Sequence, residues 1–132
     1  MRIDLHIHTK TGSDGALLIG EVFQEASKRN IDLMSITDHD NIDCQARAIA
    51  LAEGYGINYI AGVELNITFH YPPKSDKSVS LDFLGYQYDI RNQELRNKLE
   101  LMRERREVRA QEIMEKLNVE FVKENITPFA EE

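Results

Sequence analysis

The sequence has no tryptophan, only three prolines and a single cysteine. One thiol, Cys44, cannot close an internal disulfide, so the fold must rest on its core, and this usage fits a reducing compartment. Long apolar runs are also missing. Residues 16–19 (Ala-Leu-Leu-Ile) are among the longest, far short of the roughly 20 residues that cross a bilayer. No basic-then-apolar leader opens the chain, and the expectation is a cytoplasmic protein without a membrane role. Positive charge is scarce: 16 Lys and Arg stand against 23 Asp and Glu, a net charge of −7. That argues against gripping duplex nucleic acid with a basic groove. It leaves room for a site whose positive charge comes from bound cations.

What is present suits one globular domain: 132 residues, 42% hydrophobic and 30% charged. The charge is uneven. Residues 1–90 carry most of the acidic excess and all four histidines, whereas residues 91–117 hold more basic than acidic groups. Histidines mixed with carboxylates are a reasonable place to look for divalent metal.

The first 65 residues alternate between strand and helix. Ile3, Leu5 and Ile7 alternate with Asp4, His6 and His8, a strand period. A Gly12-Ser13-Asp14-Gly15 turn follows. Val22, Phe23 and Ala26 set a helix to about Asn30. Residues 32–37 read as a second strand, 43–54 as an alanine-rich helix ending at Gly54, and 57–63 as a third strand. This order predicts βαβ units and a parallel sheet. Residues 64–71 and 79–88 read as a hairpin around the loop Pro72-Pro73-Lys74-Ser75-Asp76-Lys77. A long helix spans about 92–118, with Leu95, Leu99, Met102, Ala110, Ile113 and Leu117 on its apolar face and Glu94–Lys98 and Glu112–Lys116 as i,i+4 pairs. Residues 119–122 read as a short strand. Thr127, Pro128 and Glu131 have the pattern of a helix start, so the sequence is expected to belong to a longer fold.

His6 and His8 share a face of the first strand, and two imidazoles at that spacing can chelate one ion. Alone the pattern is a weak signal, since a polar strand face looks the same. His39 follows the second strand and Glu64 closes the third. Equivalent strand ends of a parallel sheet share one edge, where α/β sites form, so the three signals together favour a metal centre. Asp14 lies near that edge but also suits ordinary turn chemistry. Asp4 is either an acceptor for an imidazole N–H or a polar strand residue. Asp38 and Asp40 are either supports for the ligands or caps of the next helix. Asp82, between Leu81 and Phe83, is either a cation ligand or a solvent-facing strand residue. His70 reads as surface, and Cys44 as packing. Arg103, Arg105, Arg106 and Arg109, interleaved with Glu104 and Glu107, read as a solvated helix face rather than a phosphate patch.

Taken in order, Asp4-Leu5-His6-Ile7-His8-Thr9, Ser13-Asp14-Gly15, Thr37-Asp38-His39-Asp40, Gly62-Val63-Glu64 and Leu84-Gly85-Tyr86 resemble the PHP (polymerase and histidinol phosphatase) family of metal-dependent phosphoesterases. The resemblance implies an α/β fold. Residues 1–90 would be the N-terminal part of a distorted, TIM-like (β/α)7 barrel, and residues 91–132 the start of a helical insert. It implies two or three divalent ions (Zn, Mn or Fe): His6 and His8 on one, Glu64 bridging two, Asp14 and His39 on a third. Asp82 stands where the family usually has a histidine ligand, a change that favours harder ions. The implied activity is hydrolysis of a phosphate ester, a nucleotide or the 5′ end of a short oligonucleotide, by a metal-activated water. The family's later ligands, a histidine and an Asp-x-His, are absent, so these 132 residues alone are expected to be weakly active or inactive. Half a barrel would leave sheet edges unpaired, which leaves self-association open. The rival reading is a non-catalytic PHP module, structural or polymerase-associated.

Overall fold

The computed structural model describes residues 1–70 and 78–129. In chain order the elements are β1 (Ile3–Ile7), α1 (Ile19–Lys28), β2 (Leu33–Ile36), α2 (Gln45–Tyr55), β3 (Asn58–Tyr59), β4 (Gly62–His70), β5 (Ser78–Tyr86) and α3 (Gln93–Lys123). β1, β2 and β3 form a parallel sheet in that order, and β4 pairs with β5 in an antiparallel ribbon.

The parallel sheet is covered by two amphipathic helices. Ile19, Val22, Phe23 and Ala26 of α1 and Ala48 and Ala52 of α2 are buried against Met34 and Ile36 of β2. Full burial of side chains of this size stabilises by roughly 1.5–3 kcal/mol each. At the start of α1, Leu18 offers no side-chain cap. Glu21 Oε2 takes its N–H instead at 2.7 Å, a carboxylate in the first turn where the helix dipole favours it. α2 runs past Gly54 and stops at Gly56, which has φ +67°, the left-handed cap that glycine adopts without a side-chain penalty.

The expected third strand over 57–63 is two pieces in different sheets. Asn58 and Tyr59 pair with Leu33 and Met34. The chain then turns away at Gly62, which opens β4 opposite Tyr86 of β5. Gly62 lies so close to β2 that a Cβ there would stand 2.2 Å from Ser35 Oγ. Its carbonyl is taken by side chains, Gln45 Nε2 at 2.8 Å and the Tyr88 hydroxyl at 2.6 Å. Gln45, fully buried, also donates to Ile36 O and accepts from the Tyr59 hydroxyl, so the break in the sheet is satisfied by one amide. One parallel bridge, His39 to Glu64, ties the ribbon to the end of β2.

The hairpin forms as expected, while its loop, 72–77, lies outside the described residues. Along α3 only Leu95, Leu99 and Met102 of the anticipated apolar face pack, against Ile42 and Val63. Ile113 and Leu117 are exposed. Asn92 caps the helix by accepting from Leu95 N–H at 2.9 Å. Glu94 and Lys98 pair at 2.7 Å, whereas Glu112 and Lys116 do not meet. Residues 119–122 are helical, not a strand. Valines there have no sheet edge to join, and extending an existing helix costs less than starting another element. Thr127 to Phe129 form no helix. Phe129 folds back so that its N–H reaches Asn118 Oδ1 at 2.8 Å, and Glu131 lies outside the described residues. Among the described residues, no helix is long and apolar enough to cross a membrane.

Candidate metal centre

β1 delivers His6, and His8 follows it immediately. The β2 end delivers His39, and Glu64 is the third residue of β4 rather than the end of a β3-like strand. Backbone pairing fixes the last two: Asp40 N–H donates to Glu64 O at 2.8 Å and Glu64 N–H to Asp38 O at 3.3 Å. The side chains converge. His6 Nε2 and His8 Nε2 lie 2.9 and 2.8 Å from Glu64 Oε2, and Glu64 is buried. His8 Nδ1 meets Asp14 Oδ1 at 2.7 Å and Ser13 Oγ at 3.2 Å. His39 Nε2 stands 3.8 Å from Asp14 Oδ2, and His39 Nδ1 stands 3.6 Å from Glu64 Oε2. Two groups of donors result, His6/His8/Glu64 and His8/Asp14/His39.

These donors fit a divalent ion. Imidazole and carboxylate suit Zn, Mn or Fe, and His39 Nδ1 is buried without a hydrogen-bond partner, a lone-pair site the protein itself leaves unused. A neutral imidazole has one free lone pair. If His8 ligates through Nε2, its Nδ1 carries the proton that Asp14 accepts, so Asp14 orients His8. Asp14 then offers its other oxygen on the side of His39. Its carboxyl is held below the usual carboxylate range by the Ser13 hydroxyl and then by His8, which keeps it an anion.

The loop that carries His8 is held by a residue that the sequence left ambiguous. Asp38, fully buried, accepts Thr9 N–H at 2.6 Å and the Thr9 hydroxyl at 2.8 Å. Thr9 in turn accepts Gly12 N–H, and Ser13 Oγ accepts His39 N–H. Gly12 is required here: a Cβ would overlap Asp38 Oδ2 at 2.0 Å. Asp38 therefore holds the loop that follows His8 and does not cap α2. Asp40 does not cap it either, since Asn41 Oδ1 accepts Asp43 N–H in a turn that delays the helix to Gln45. Asp4 is a further correction. It accepts His6 backbone N–H at 3.3 Å, not an imidazole proton, because its short side chain bends back along its own strand.

Asp82 stands outside both donor groups. It sits opposite Asn66, whose amide donates to it at 2.6 Å, and both share the ribbon face of Glu64. His70 is the last residue of β4. Burial and the neighbouring Asp38 carboxylate push the Cys44 thiol up to about 12, so it stays protonated, as a packing cysteine should. Sequence reasoning passed over Ser13 and Thr9, whose signal was only their position beside His8 and Asp14. Arg103 and Arg106, expected on a solvated helix face, do remain partly exposed, yet each also meets a carboxylate ahead of α2: Arg106 Nη2 donates to Asp40 Oδ2 at 2.5 Å, and Arg103 Nη1 lies 3.5 Å from Asp43 Oδ2.

A family model described as "PHP domain" matches residues 4–113. The chain is 43% identical over 67 residues to the 3′,5′-nucleoside bisphosphate phosphatase of Chromobacterium violaceum, covering 51% of this chain and 23% of that protein. It is 31% identical over 116 residues to the 5′-3′ exoribonuclease Rnm of Salmonella typhimurium, covering 86% and 37%. A solved structure described as an amidohydrolase from C. violaceum with bound sulfate and no metal superposes with a TM-score of 0.78 at 33% identity, over 90% of this chain and 39% of that one. The chain thus spans less than two fifths of the length of each.

Proposed function

The chain belongs to the PHP domain family, and from that premise we propose that it carries the divalent-metal site of a phosphoesterase that hydrolyses a phosphate ester. The observation that supports this most is the convergence of His6, His8 and Glu64 from two sheets onto one point, with each donor atom within hydrogen-bond distance of the carboxylate. Ions bound there supply Lewis acidity toward a phosphoryl oxygen and a water acidic enough to lose its proton near neutral pH.

The chain's own residues divide the remaining work. Glu64, buried and clamped through its backbone to Asp38 and Asp40, is the fixed anion of the site. Asp14 and Ser13 hold His8 in one orientation, and His39 turns Nε2 toward Asp14 and its unpartnered Nδ1 toward Glu64. Asp82 is assigned as a further ligand in place of the family's histidine, supported by its place on the Glu64 face of the ribbon. In this reading residues 1–90 are part of a TIM-like barrel and α3 begins an insert. Two or three ions are held, and the substrate is a nucleotide or an oligonucleotide end.

Isothermal titration with Mn²⁺ and Zn²⁺ tests the centre directly. The wild-type chain should bind, and His6→Ala and Glu64→Ala should each weaken binding by roughly tenfold or more, since even the partners of ligands are worth that much. Equal affinity in all three proteins would sink the proposal and leave the non-catalytic module as the reading.

A further inference from the structure

Arg106 of α3 ends on a carboxylate that belongs to neither donor group. Asp40 follows His39 directly and is 1% exposed. Its backbone has φ +49°, in the left-handed region where side chains are uncommon and Asp and Asn are favoured among them. The residue is held from two sides. Its N–H donates to Glu64 O of the ribbon at 2.8 Å. From α3, Arg106 Nη2 donates to its Oδ2 at 2.5 Å, and Arg103 Nη1 stands 3.5 Å from its carbonyl oxygen. Its Oδ1 is buried without a partner.

A buried carboxylate depends on its cation. Among the described residues Arg106 is the one ion-pair partner of Asp40, and the pair has a dry end and a wet end, with Asp40 2% and Arg106 45% exposed at their side chains. Without Arg106 the Asp40 charge would be buried and unpaired, a costly state that a turn of the backbone toward water relieves. Such a turn cannot leave His39 in place, because the two residues share a peptide. The position of Arg106 is set in turn by Leu99 and Met102, which seat α3 on Ile42 and Val63. The seat of the helix and the candidate ligand are therefore neighbours on one short stretch of chain, with Asp40 between them.

We propose that Asp40 is a positioning residue that ties α3 to His39, so that the seating of α3 sets where the His39 ring stands. A helix seated through Arg106 holds His39 beside Asp14 and Glu64, and a helix lifted away releases it. By linkage, an ion held by His39 favours the seated helix in return. This deepens the phosphoesterase reading and rests on it for what His39 binds.

The test compares the wild-type chain with Asp40→Gly, Arg106→Gln and the double variant. Glycine keeps the left-handed turn without strain and removes only the carboxylate. Arg106 is partly exposed, so glutamine there leaves the core alone. The first readout is the ¹H–¹⁵N imidazole spectrum in excess chelator, with His39 assigned by its loss in His39→Gln. The His39 ring signals should move in the same direction in both single variants, and the double variant should move them no further than the larger single effect. A field effect alone would move them in opposite directions, because one variant deletes an anion and the other a cation. The second readout is Zn²⁺ titration. Each single variant should bind about tenfold more weakly, a loss usual for groups that support a ligand. The double variant should also lose about tenfold rather than about a hundredfold, because the two residues act as one pair. His39 signals that stay in place or move in opposite directions would overturn the tie. So would equal Zn²⁺ dissociation constants in wild type and variants, or a fully additive loss in the double variant. A wild-type chain that binds no Zn²⁺ would sink the metal reading, and the spectra in chelator would still decide this one. Unmoved spectra would leave the metal centre standing.

Discussion

Residues 3–63 and residues 66–123 are similar lengths of chain with similar apolar patterning, yet they bury it very differently. Of the buried apolar side chains among the described residues, all but Leu99 lie at or before Val63. In the first region α1 and α2 pack together over β2, and Phe23, Met34 and Ile36 are shut off from solvent. In the second, Leu65, Ile67 and Phe69 face the same side of the ribbon as Val79, Leu81 and Phe83, and most of that row is exposed. Periodicity reports which side chains share a face. Whether anything covers the face depends on elements far away in sequence. The candidate ligands lie at the seam of the two regions, on β1, the β2 end and the first residues of β4, so the enclosed region supplies the rigidity that holds them.

Deleting a ring on each side of the seam should separate the regions most strongly. Phe23→Ala opens a cavity between α1 and the sheet and should cost about 3–5 kcal/mol. Phe83→Ala removes a half-exposed ring and should cost under about 1 kcal/mol, in the range of surface changes. Urea unfolding monitored by circular dichroism measures both. Losses of equal size would mean that the ribbon face is packed as tightly as the helix–sheet core, and the contrast drawn above would fail.

The seam itself can be loosened without touching a ligand. Asp38→Ala leaves Thr9 N–H and hydroxyl buried without their acceptor, which should cost about 1–3 kcal/mol. It should also free the loop that carries His8 and Ser13. The expected signature is a fall in Mn²⁺ affinity together with the loss of stability. Unchanged metal affinity in a destabilised protein would show that the loop is held by the sheet alone.

Much of this seam was legible beforehand. The His6/His8 spacing, the positions of His39 and Glu64, and the order of motifs pointed to one edge of a parallel sheet, and the structure brings those four residues together. The break between β3 and β4 was not legible. It depends on Gly62 pressing on Ser35 and on Gln45 satisfying the freed carbonyls, a match between residues 17 to 27 positions apart. The arginines were read as a solvated face, and Arg105, Arg106 and Arg109 are exposed. What interleaved charges could not report is the pairing of Arg103 with Asp43 and of Arg106 with Asp40, which depends on the docking of Leu95, Leu99 and Met102.

The smallest expected effect concerns Cys44, which lies against Asp38 on the enclosed side. Its Sγ–H donates to Asp38 Oδ2 at 3.5 Å, and burial, then the Asp38 charge, carry its ionisation from an ordinary 9.0 up to about 12. In the unfolded chain the thiol begins to ionise near 9, while in the folded chain it keeps its proton. Above that pH the unfolded state binds fewer protons than the folded one, so stability falls as pH rises, and the loss continues until the folded thiol also ionises near 12. One unit of pH in this window is worth at most about 1.4 kcal/mol from a single group, and less for one that is incompletely buried. Tyr59 and Tyr88, also pushed up mainly by burial, contribute a slope of the same sign beginning near their ordinary 10.0. Comparison with Cys44→Ala removes their share. Between pH 8 and pH 10 the wild type should lose more of its urea midpoint than Cys44→Ala, by an amount equivalent to about 1 kcal/mol. Parallel losses in the two proteins would place the thiol in contact with solvent, and the enclosed region would end short of the loop that carries the ligands.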